Sequence, residues 1–258
     1  METTQQHEAL ASMQGERAGV GPITDAQVMG LPATMQRYLR YAGVVGKEPI
    51  RAVRLRQRGS MRQRPEQQWM PMEAEQSFSA SPPAFVWRGK MRLAPFIWFS
   101  ATDQLAEGHG VMSIKLLSVI PLGKARGPEM DQSTLVSHLG EIILFPTAWL
   151  SDAITWEAID ASSVGATIHD RGVSASAVLS VNEQGQPTFF RADRYMEAHG
   201  HYRLAPWSVL SNAYREVEGM CIPTHFEVTW HLPSGDFTWL RGDITEIEYN
   251  HSGKVTTF

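Results

Sequence analysis

Apolar and polar residues alternate with a period of two through most of the chain after Pro49, and this alternation constrains the fold more than any other feature. Val53 and Leu55 face one way while Arg54 and Arg56 face the other, as in a strand that is buried on one side only. Similar runs follow at short intervals and are separated by Ser-Pro-Pro, Ala-Pro and Gly-His-Gly segments, which are typical of turns. The sequence therefore predicts about ten strands, joined mainly as antiparallel hairpins.

One long helix interrupts the alternation near the middle of the chain. After a predicted loop at 121–130, apolar residues follow the helical period from Asp131, and Leu139 and Ile143 share one face until Pro146 ends the segment. A short N-terminal helical element is predicted ahead of the first strand, with Thr24 and Asp25 as possible caps and Pro32 in the first turn of a helix through about Tyr41.

These elements predict a mainly β (α+β) fold. We expect a single curved antiparallel sheet or an open β-barrel, with the central helix covering one face or plugging the mouth. The length of 258 residues suits one such domain, since all-β domains often run to roughly 200–250 residues. We expect a disordered tail at 1–21, a single β-rich domain at 22–249 and a C-terminal tail at 250–258. The last third predicts a meander that begins with a strand at Tyr214–Val217.

The composition excludes several classes of protein. The one cysteine, Cys221, excludes an internal disulfide and fits a reducing compartment. The N-terminus has no basic segment followed by an apolar one, and no run of ~18 apolar residues occurs, so we expect neither a signal peptide nor a transmembrane segment. A formal charge of −4 gives no general attraction to nucleic acid. We expect a soluble, cytoplasmic protein with no nucleic-acid partner.

Several short segments carry a resemblance to a known family. Among them are Leu31-Pro32, Pro82-Pro83-Ala84-Phe85-Val86-Trp87, Gly108-His109-Gly110, Phe145-Pro146-Thr147-Ala148-Trp149-Leu150, Pro206-Trp207 and Arg241-Gly242-Asp243-Ile244-Thr245. In order and spacing, over nearly the whole chain, they resemble an uncharacterised bacterial domain-of-unknown-function family of the DUF6544 and DUF6920 kind. The resemblance implies a β-rich fold, similar by analogy to the half-barrel of LolA-like lipoprotein carriers. The resemblance implies no catalytic residues, because that family has no assigned activity.

The aromatic and methionine content favours a cavity. Eight Trp, ten Phe, six Tyr and twelve Met residues are more than a small core needs, and a cupped sheet could use some of them to line an apolar pocket of at least ~300 Å³. We therefore predict a binding protein for a lipophilic or aromatic small molecule. The candidate ligand-binding residues are Trp87, Trp98, Trp149, Arg194, Trp207 and Tyr214. For Arg194 the structural alternative is a buried ion pair with Asp193 or Glu216.

The alternative function is an acid–base enzyme on the same cavity, acting without a cofactor as a hydrolase, isomerase or cyclase. Its candidate catalytic pair is His109 and Glu141, with Arg194 orienting an anionic substrate. His109 lies between two glycines and otherwise marks a simple hairpin corner, while Glu141 is either solvated or projects into the cavity with its pKa raised. A third possibility is an interaction protein without a ligand.

We predict no metal site. His199-Gly200-His201 places two imidazoles on one side of an extended segment, and the remote candidates to complete a site are His225, Glu227 and His231. The first and last of these are about 20 Å apart at the rise of a strand, so no single ion meets all three. Searches for an activated nucleophile are also negative, because no Gly-x-Ser-x-Gly segment occurs and Cys221 has apolar neighbours.

Overall fold

The computed structural model describes residues 21–198 and 200–250. The two predicted tails therefore lie outside the described residues except for Gly21 and Asn250, and His199 of the His-Gly-His segment lies outside them too. No helix in the described part of the chain is long and apolar enough to cross a membrane.

Thirteen strands run through the described residues. The first six are β1 (Ala52–Met61), β2 (Met70–Ser79), β3 (Ala84–Ala94), β4 (Ile97–Ala106), β5 (His109–Leu116) and β6 (Ile120–Arg126). The other seven are β7 (Ile154–Ala158), β8 (Ser163–Asp170), β9 (Val173–Val181), β10 (Pro187–Ala198), β11 (His201–Val217), β12 (Met220–Leu232) and β13 (Gly235–Tyr249).

All thirteen strands form one antiparallel sheet in the order β6-β5-β4-β3-β2-β1-β13-β12-β11-β10-β9-β8-β7. The chain starts at the centre, runs out to one edge, crosses to the other edge and returns strand by strand until β13 pairs with β1. The sheet curls into a half-barrel, which confirms the predicted mainly β fold with one central helix and a short N-terminal helix.

The crossover between the two edges of the sheet is made by the central helix. The helices are α1 (Asp25–Met29), α2 (Ala33–Ala42) and α3 (Pro128–Glu141), and two short 3₁₀ helices at Ile142–Leu144 and Pro146–Leu150 follow α3. Helix α3 packs on β4, β5 and β6 on one side and on β9 and β10 on the other. The helix therefore spans the concavity of the half-barrel, where its apolar side chains Met130, Leu135, Val136 and Leu139 are buried.

Four elements differ from the prediction. The predicted loop at 121–130 is instead the exposed strand β6 followed by the first turn of α3, which begins at Pro128 because proline suits the first helical position. The predicted strand Tyr214–Val217 is only the end of the 17-residue strand β11. Thr24 is an N-cap as predicted, but it caps the separate short helix α1, which ends before α2 begins. The central α-helix ends at Glu141, and the rest of the predicted helical segment up to Pro146 contains the 3₁₀ helix Ile142–Leu144.

Candidate functional site

A cavity of about 230 Å³ lies between helix α3 and the concave face of the sheet. Much of its wall is formed by methionine and aromatic side chains, namely Met61, Met70, Phe85, Met91, Phe99, Met112, Phe226 and Trp239. The volume is below the predicted minimum of roughly 300 Å³, at which pockets for drug-sized molecules begin, so that prediction of size is not met and the cavity suits only a slim ligand.

Several polar groups of the cavity lie in one row of residues that pair across neighbouring strands. Gln76 of β2 pairs with Trp87 of β3, and Trp87 pairs with Asp103 of β4. Met91 and Phe99 pair with each other four residues farther along β3 and β4, about 13 Å away at the rise of a strand. Met112 of β5 pairs with Asp103 in the same row, so the cavity combines polar and apolar groups near this row and is mainly apolar towards the turn between β3 and β4.

A directed chain of hydrogen bonds joins three strands to the helix. The Trp87 indole N–H donates to Gln57 Oε1 over 3.0 Å, and Gln57 Nε2 donates to Gln76 Oε1 over 3.2 Å. Gln76 Nε2 then donates to both carboxyl oxygens of Glu141, over 3.1 and 3.0 Å. Both amides in this chain act as acceptor and as donor, which is how buried polar side chains avoid a desolvation cost.

Gly89 makes room for the first member of this chain. A Cβ atom at Gly89 would overlap the six-membered ring of the Trp87 indole, which lies along the strand over this residue. The missing side chain therefore allows the indole nitrogen to reach Gln57.

Glu141, the last residue of α3, presents its carboxyl to the cavity. Desolvation raises the pKa of this carboxyl to about 8, assisted by the nearby charge of Asp103 and opposed by the hydrogen bond from Gln76 and by the charge of Arg194. Glu141 is consequently protonated for the most part at neutral pH and can donate a hydrogen bond.

Asp103 and Arg194 supply the charges of the site. Desolvation raises the pKa of Asp103 to about 6, while the positive charge of Arg194 opposes that shift, so Asp103 is mainly ionised at neutral pH. Arg194 donates from Nε to the Ser133 carbonyl over 3.2 Å, and its guanidinium carbon lies 5.4 Å from the centre of the Trp207 ring. The expected ion pair of Arg194 with Asp193 or Glu216 does not occur among the described residues.

Several buried polar atoms in the cavity wall have no hydrogen-bond partner among the described residues. They are Asp103 Oδ1, Trp207 Nε1, Ser211 Oγ and Trp239 Nε1. An unpaired buried donor or acceptor costs about 1–3 kcal/mol. The cavity wall therefore keeps both donor and acceptor capacity that no described residue uses.

Three of the six candidate ligand-binding residues line the cavity, namely Trp87, Arg194 and Trp207. Trp98 lies beyond its wall under Lys90, and its indole donates to Ser118 Oγ. The other two candidates, Trp149 and Tyr214, are also outside the lining: Trp149 is fully buried in the core against Trp156, and Tyr214 donates to the Pro187 carbonyl.

The structure does not bring His109 and Glu141 together. His109 starts β5 at a hairpin corner, is 78% exposed at its side chain and lies 3.3 Å from Asp131 Oδ2. Asp131 also accepts from the Gly110 N–H, and it precedes Glu141 by ten residues of α3, about 15 Å along the helix axis. Asp103 is the acidic partner that the cavity offers to Glu141 instead.

A chain of Ser, His and Asp side chains lies on the other face of the sheet. Ser208 Oγ is 2.8 Å from His231 Nε2, and His231 Nδ1 is 2.8 Å from Asp236 Oδ1. Because Trp207 and Val209 line the cavity, Ser208 between them points away from it. Ser208 is only 2% exposed, and a buried hydroxyl that no substrate can reach is not a nucleophile.

Gln57, Gln76 and Asp103 were not among the residues predicted for the site. Each occupies an inward position of an alternating strand, next to Leu55, Ala74 or Ala101 on the same face. A polar residue on an apolar face was therefore the signal that could have found them. Among the described residues, no group of three His, Cys, Asp or Glu side chains is placed to hold a metal ion.

Comparison with known proteins gives a family but no activity. The model of a family described as "Family of unknown function (DUF6544)" matches residues 21–242, in agreement with the resemblance seen in the sequence. No curated protein matches the chain.

Solved structures with a similar fold include a domain described as an outer membrane lipoprotein-sorting protein from Vibrio parahaemolyticus, with 9% identity, a TM-score of 0.46 and coverage of 88% of this chain and 95% of that one. They also include a LolA superfamily protein from Nitrosomonas europaea, with 12% identity, a TM-score of 0.39 and coverage of 85% and 94%. A DUF1329 family protein from Desulfovibrio piger has 12% identity, a TM-score of 0.41 and coverage of 90% and 95%. Similarities at this level carry no information about ligand or activity.

Proposed function

Because the chain belongs to the DUF6544 family, a family of unknown function, we propose its function from its own cavity: it binds a slim amphiphilic small molecule. The apolar body of the ligand lies against the methionine and aromatic wall, and its polar group meets Asp103, Glu141 and Arg194.

The observation that carries the proposal is the division of one cavity into an apolar and a polar part. Met91 and Phe99 belong to the apolar part, and the row that contains Asp103 belongs to the polar part, about 13 Å away at the rise of a strand. Small-molecule sites are mostly apolar, with a few polar groups that fix the orientation of the ligand. Methionine side chains adapt to irregular apolar ligands, which suits this wall.

The polar part offers complementary groups at neutral pH. Arg194 provides a positive charge, ionised Asp103 an acceptor and protonated Glu141 a donor. Because one positive and one negative charge nearly balance, a carboxylate or a hydroxyl at the end of an alkyl chain or an aromatic ring fits better than a multiply charged group.

The proposal is tested by titration with N-phenyl-1-naphthylamine, a lipophilic dye whose fluorescence rises in apolar sites. We expect saturable binding by the wild-type protein and a loss of at least about tenfold in affinity for Ala101→Phe, which fills the cavity from β4. Ala106→Phe is the matched control, because it adds the same ring to the same strand on the opposite face. Equal dye binding by both variants would contradict the proposal.

A second candidate function is an acid–base enzyme on the same cavity. It is favoured by two carboxyl groups whose pKa values stand apart, about 6 for Asp103 and about 8 for Glu141, since such pairs divide the roles of base and acid. The two functions differ in the fate of the ligand. A carrier returns the bound molecule unchanged after prolonged incubation, whereas an enzyme returns a product, and Glu141→Gln would stop its formation.

A further inference from the structure

Exposed apolar side chains are concentrated on two neighbouring hairpin turns, one between β3 and β4 and one between β5 and β6. Six of the eleven large exposed apolar residues in the described part of the chain lie there, namely Leu93, Phe96, Ile97, Val119, Ile120 and Leu122. We call residues 93–97 and 117–122 together the tip surface. Contiguous exposed apolar groups of this kind mark an interaction surface rather than ordinary scatter.

The two turns are held together as one surface. The Leu117 N–H donates to the Trp98 carbonyl over 2.9 Å, and the Trp98 indole donates to Ser118 Oγ over 3.0 Å. Strands β4 and β5 pair up to Phe99 and Leu116, directly below the two turns. The apolar side chains of both turns therefore project from the same end of the sheet.

Positive charge surrounds the tip surface. The segments 88–102 and 108–128 contain no Asp or Glu, although the whole chain carries a formal charge of −4. The exposed cations nearest the two turns are Lys90, Arg92 and Lys115, and none of these forms an ion pair within the described residues. Lys124 and Arg126 continue the positive charge along β6, about 13 and 20 Å from Ile120 at the rise of a strand. Lys90 lies 4.1 Å from the centre of the Trp98 ring. The charge complements an anionic surface.

Phe96 occupies a backbone position that favours glycine. Its φ is +64°, directly after Pro95, and its side chain is 90% exposed. Glycine or asparagine commonly fills such a turn position, since a bulky residue there is strained. Nothing in the packing explains a phenylalanine at this site, because its ring is almost wholly in contact with solvent.

We propose that the tip surface docks the protein onto an anionic phospholipid membrane. Its apolar side chains enter the interfacial region, while the surrounding Lys and Arg side chains contact the lipid phosphates. Trp98 lies at the border between the two zones, where amphipathic rings are favoured. Docking itself does not depend on the cavity.

The tip surface lies next to the apolar part of the cavity, so docking can serve ligand exchange with the membrane. Phe99 lines the apolar part of the cavity and follows Phe96 by only three residues of β4. A protein docked by this surface brings the apolar part of its cavity to the membrane side, from which a lipophilic ligand is exchanged. This last step rests on the proposed binding function.

The experiment is flotation of the full chain with vesicles of phosphatidylcholine and phosphatidylglycerol in equal amounts. We expect binding that decreases at least about fivefold in 0.5 M NaCl and is weak on pure phosphatidylcholine, because exposed charges are screened by salt. Phe96→Gly is expected to fold as well as the wild type and to lose about tenfold in vesicle affinity, since it removes apolar area and relieves the backbone.

The matched comparison is Leu122→Ser against Leu204→Ser, because both leucines are 53% exposed and only Leu122 belongs to the tip surface. We expect a loss of vesicle binding for Leu122→Ser alone. Equal losses, or no vesicle binding by the wild type, would overturn the proposal, as would a dimer formed through the tips that does not bind vesicles. Ala101→Phe separates the two proposals, because it is expected to weaken dye binding at least about tenfold and to leave vesicle binding unchanged.

Discussion

Gln76 Nε2 donates to both carboxyl oxygens of Glu141, over 3.1 and 3.0 Å, and so joins strand β2 to the last turn of helix α3. The contact fixes the carboxyl group at the polar part of the cavity. Because the chain from Trp87 through Gln57 ends on Glu141, this carboxyl is the acceptor towards which three strands direct their donors.

Glu141→Gln is expected to change how stability depends on pH. Burial raises the pKa of Glu141 from 4.5 to about 8, so between these values the folded protein keeps a proton that the unfolded chain has lost. The stabilisation of the wild type relative to Glu141→Gln is therefore greatest below pH 4.5 and is lost as the pH rises through 8. Urea unfolding at pH 5 and pH 9 should show a change of about 2–4 kcal/mol in the difference between the two proteins. Parallel pH profiles would contradict this, and Glu66→Gln in an exposed loop is the control.

Arg194→Met is expected to raise the pKa of Asp103 above about 6, because the guanidinium charge opposes the effect of burial on this carboxyl. Carboxyl carbon chemical shifts followed by NMR measure this pKa. The same variant should bind decanoate about tenfold more weakly while its affinity for decanol changes little, since only the carboxylate uses the positive charge. Arg191→Met removes an exposed charge from the other face of β10 and should affect neither.

Gly89→Ala is expected to destabilise the protein by about 1–3 kcal/mol, because the new methyl group displaces the Trp87 ring and breaks its hydrogen bond to Gln57. Gly123→Ala in β6 is the matched control, since no atom lies within 4 Å of a Cβ there. Thermal unfolding monitored by circular dichroism compares the two. Equal midpoints would show that the indole does not need the space above Gly89.

His109→Gln should leave dye affinity within about twofold of the wild type, because this exposed side chain contacts Asp131 at the helix start and not the cavity. Fluorescence titration with N-phenyl-1-naphthylamine measures the dye affinity of both proteins. A large loss of affinity would place His109 in the binding site after all.

Ser208 is expected to resist a fluorophosphonate probe, even though its hydroxyl, His231 and Asp236 form a chain with two 2.8 Å contacts. Its burial in the middle of the sheet keeps the probe from the oxygen atom. Intact mass spectrometry checks this. A mass increase in the wild type that is absent from Ser208→Ala would identify a hydrolase site on this face.

Much of the fold follows from the sequence because one face of each strand is buried, and alternation reports that burial directly. Strand β6 was missed for the same reason: every residue from Ile120 to Lys124 is exposed, so no alternation marks it. Most of β11 was missed as well, where Pro206 interrupts a run that otherwise reads as a strand.

The site was less predictable than the fold, because its residues meet only through the register of the strands. Gln57 and Asp103 are 46 positions apart in the sequence and share one cavity wall, since β1 to β4 pair in order. Alternation alone places both on the inner face but does not say which residues are neighbours across strands. The position of the Arg194 guanidinium and the burial of the Glu141 carboxyl likewise depend on the path of α3 through the half-barrel.

Native mass spectrometry of the chain purified from the organism that encodes it tests the central claim most directly. The account predicts a retained small molecule on the wild-type protein and on Ala106→Phe, and its absence from Ala101→Phe, with denaturing extraction giving an amphiphile that has one polar end. A retained molecule of equal occupancy on Ala101→Phe, or an empty wild-type protein that also fails to bind N-phenyl-1-naphthylamine, would contradict it.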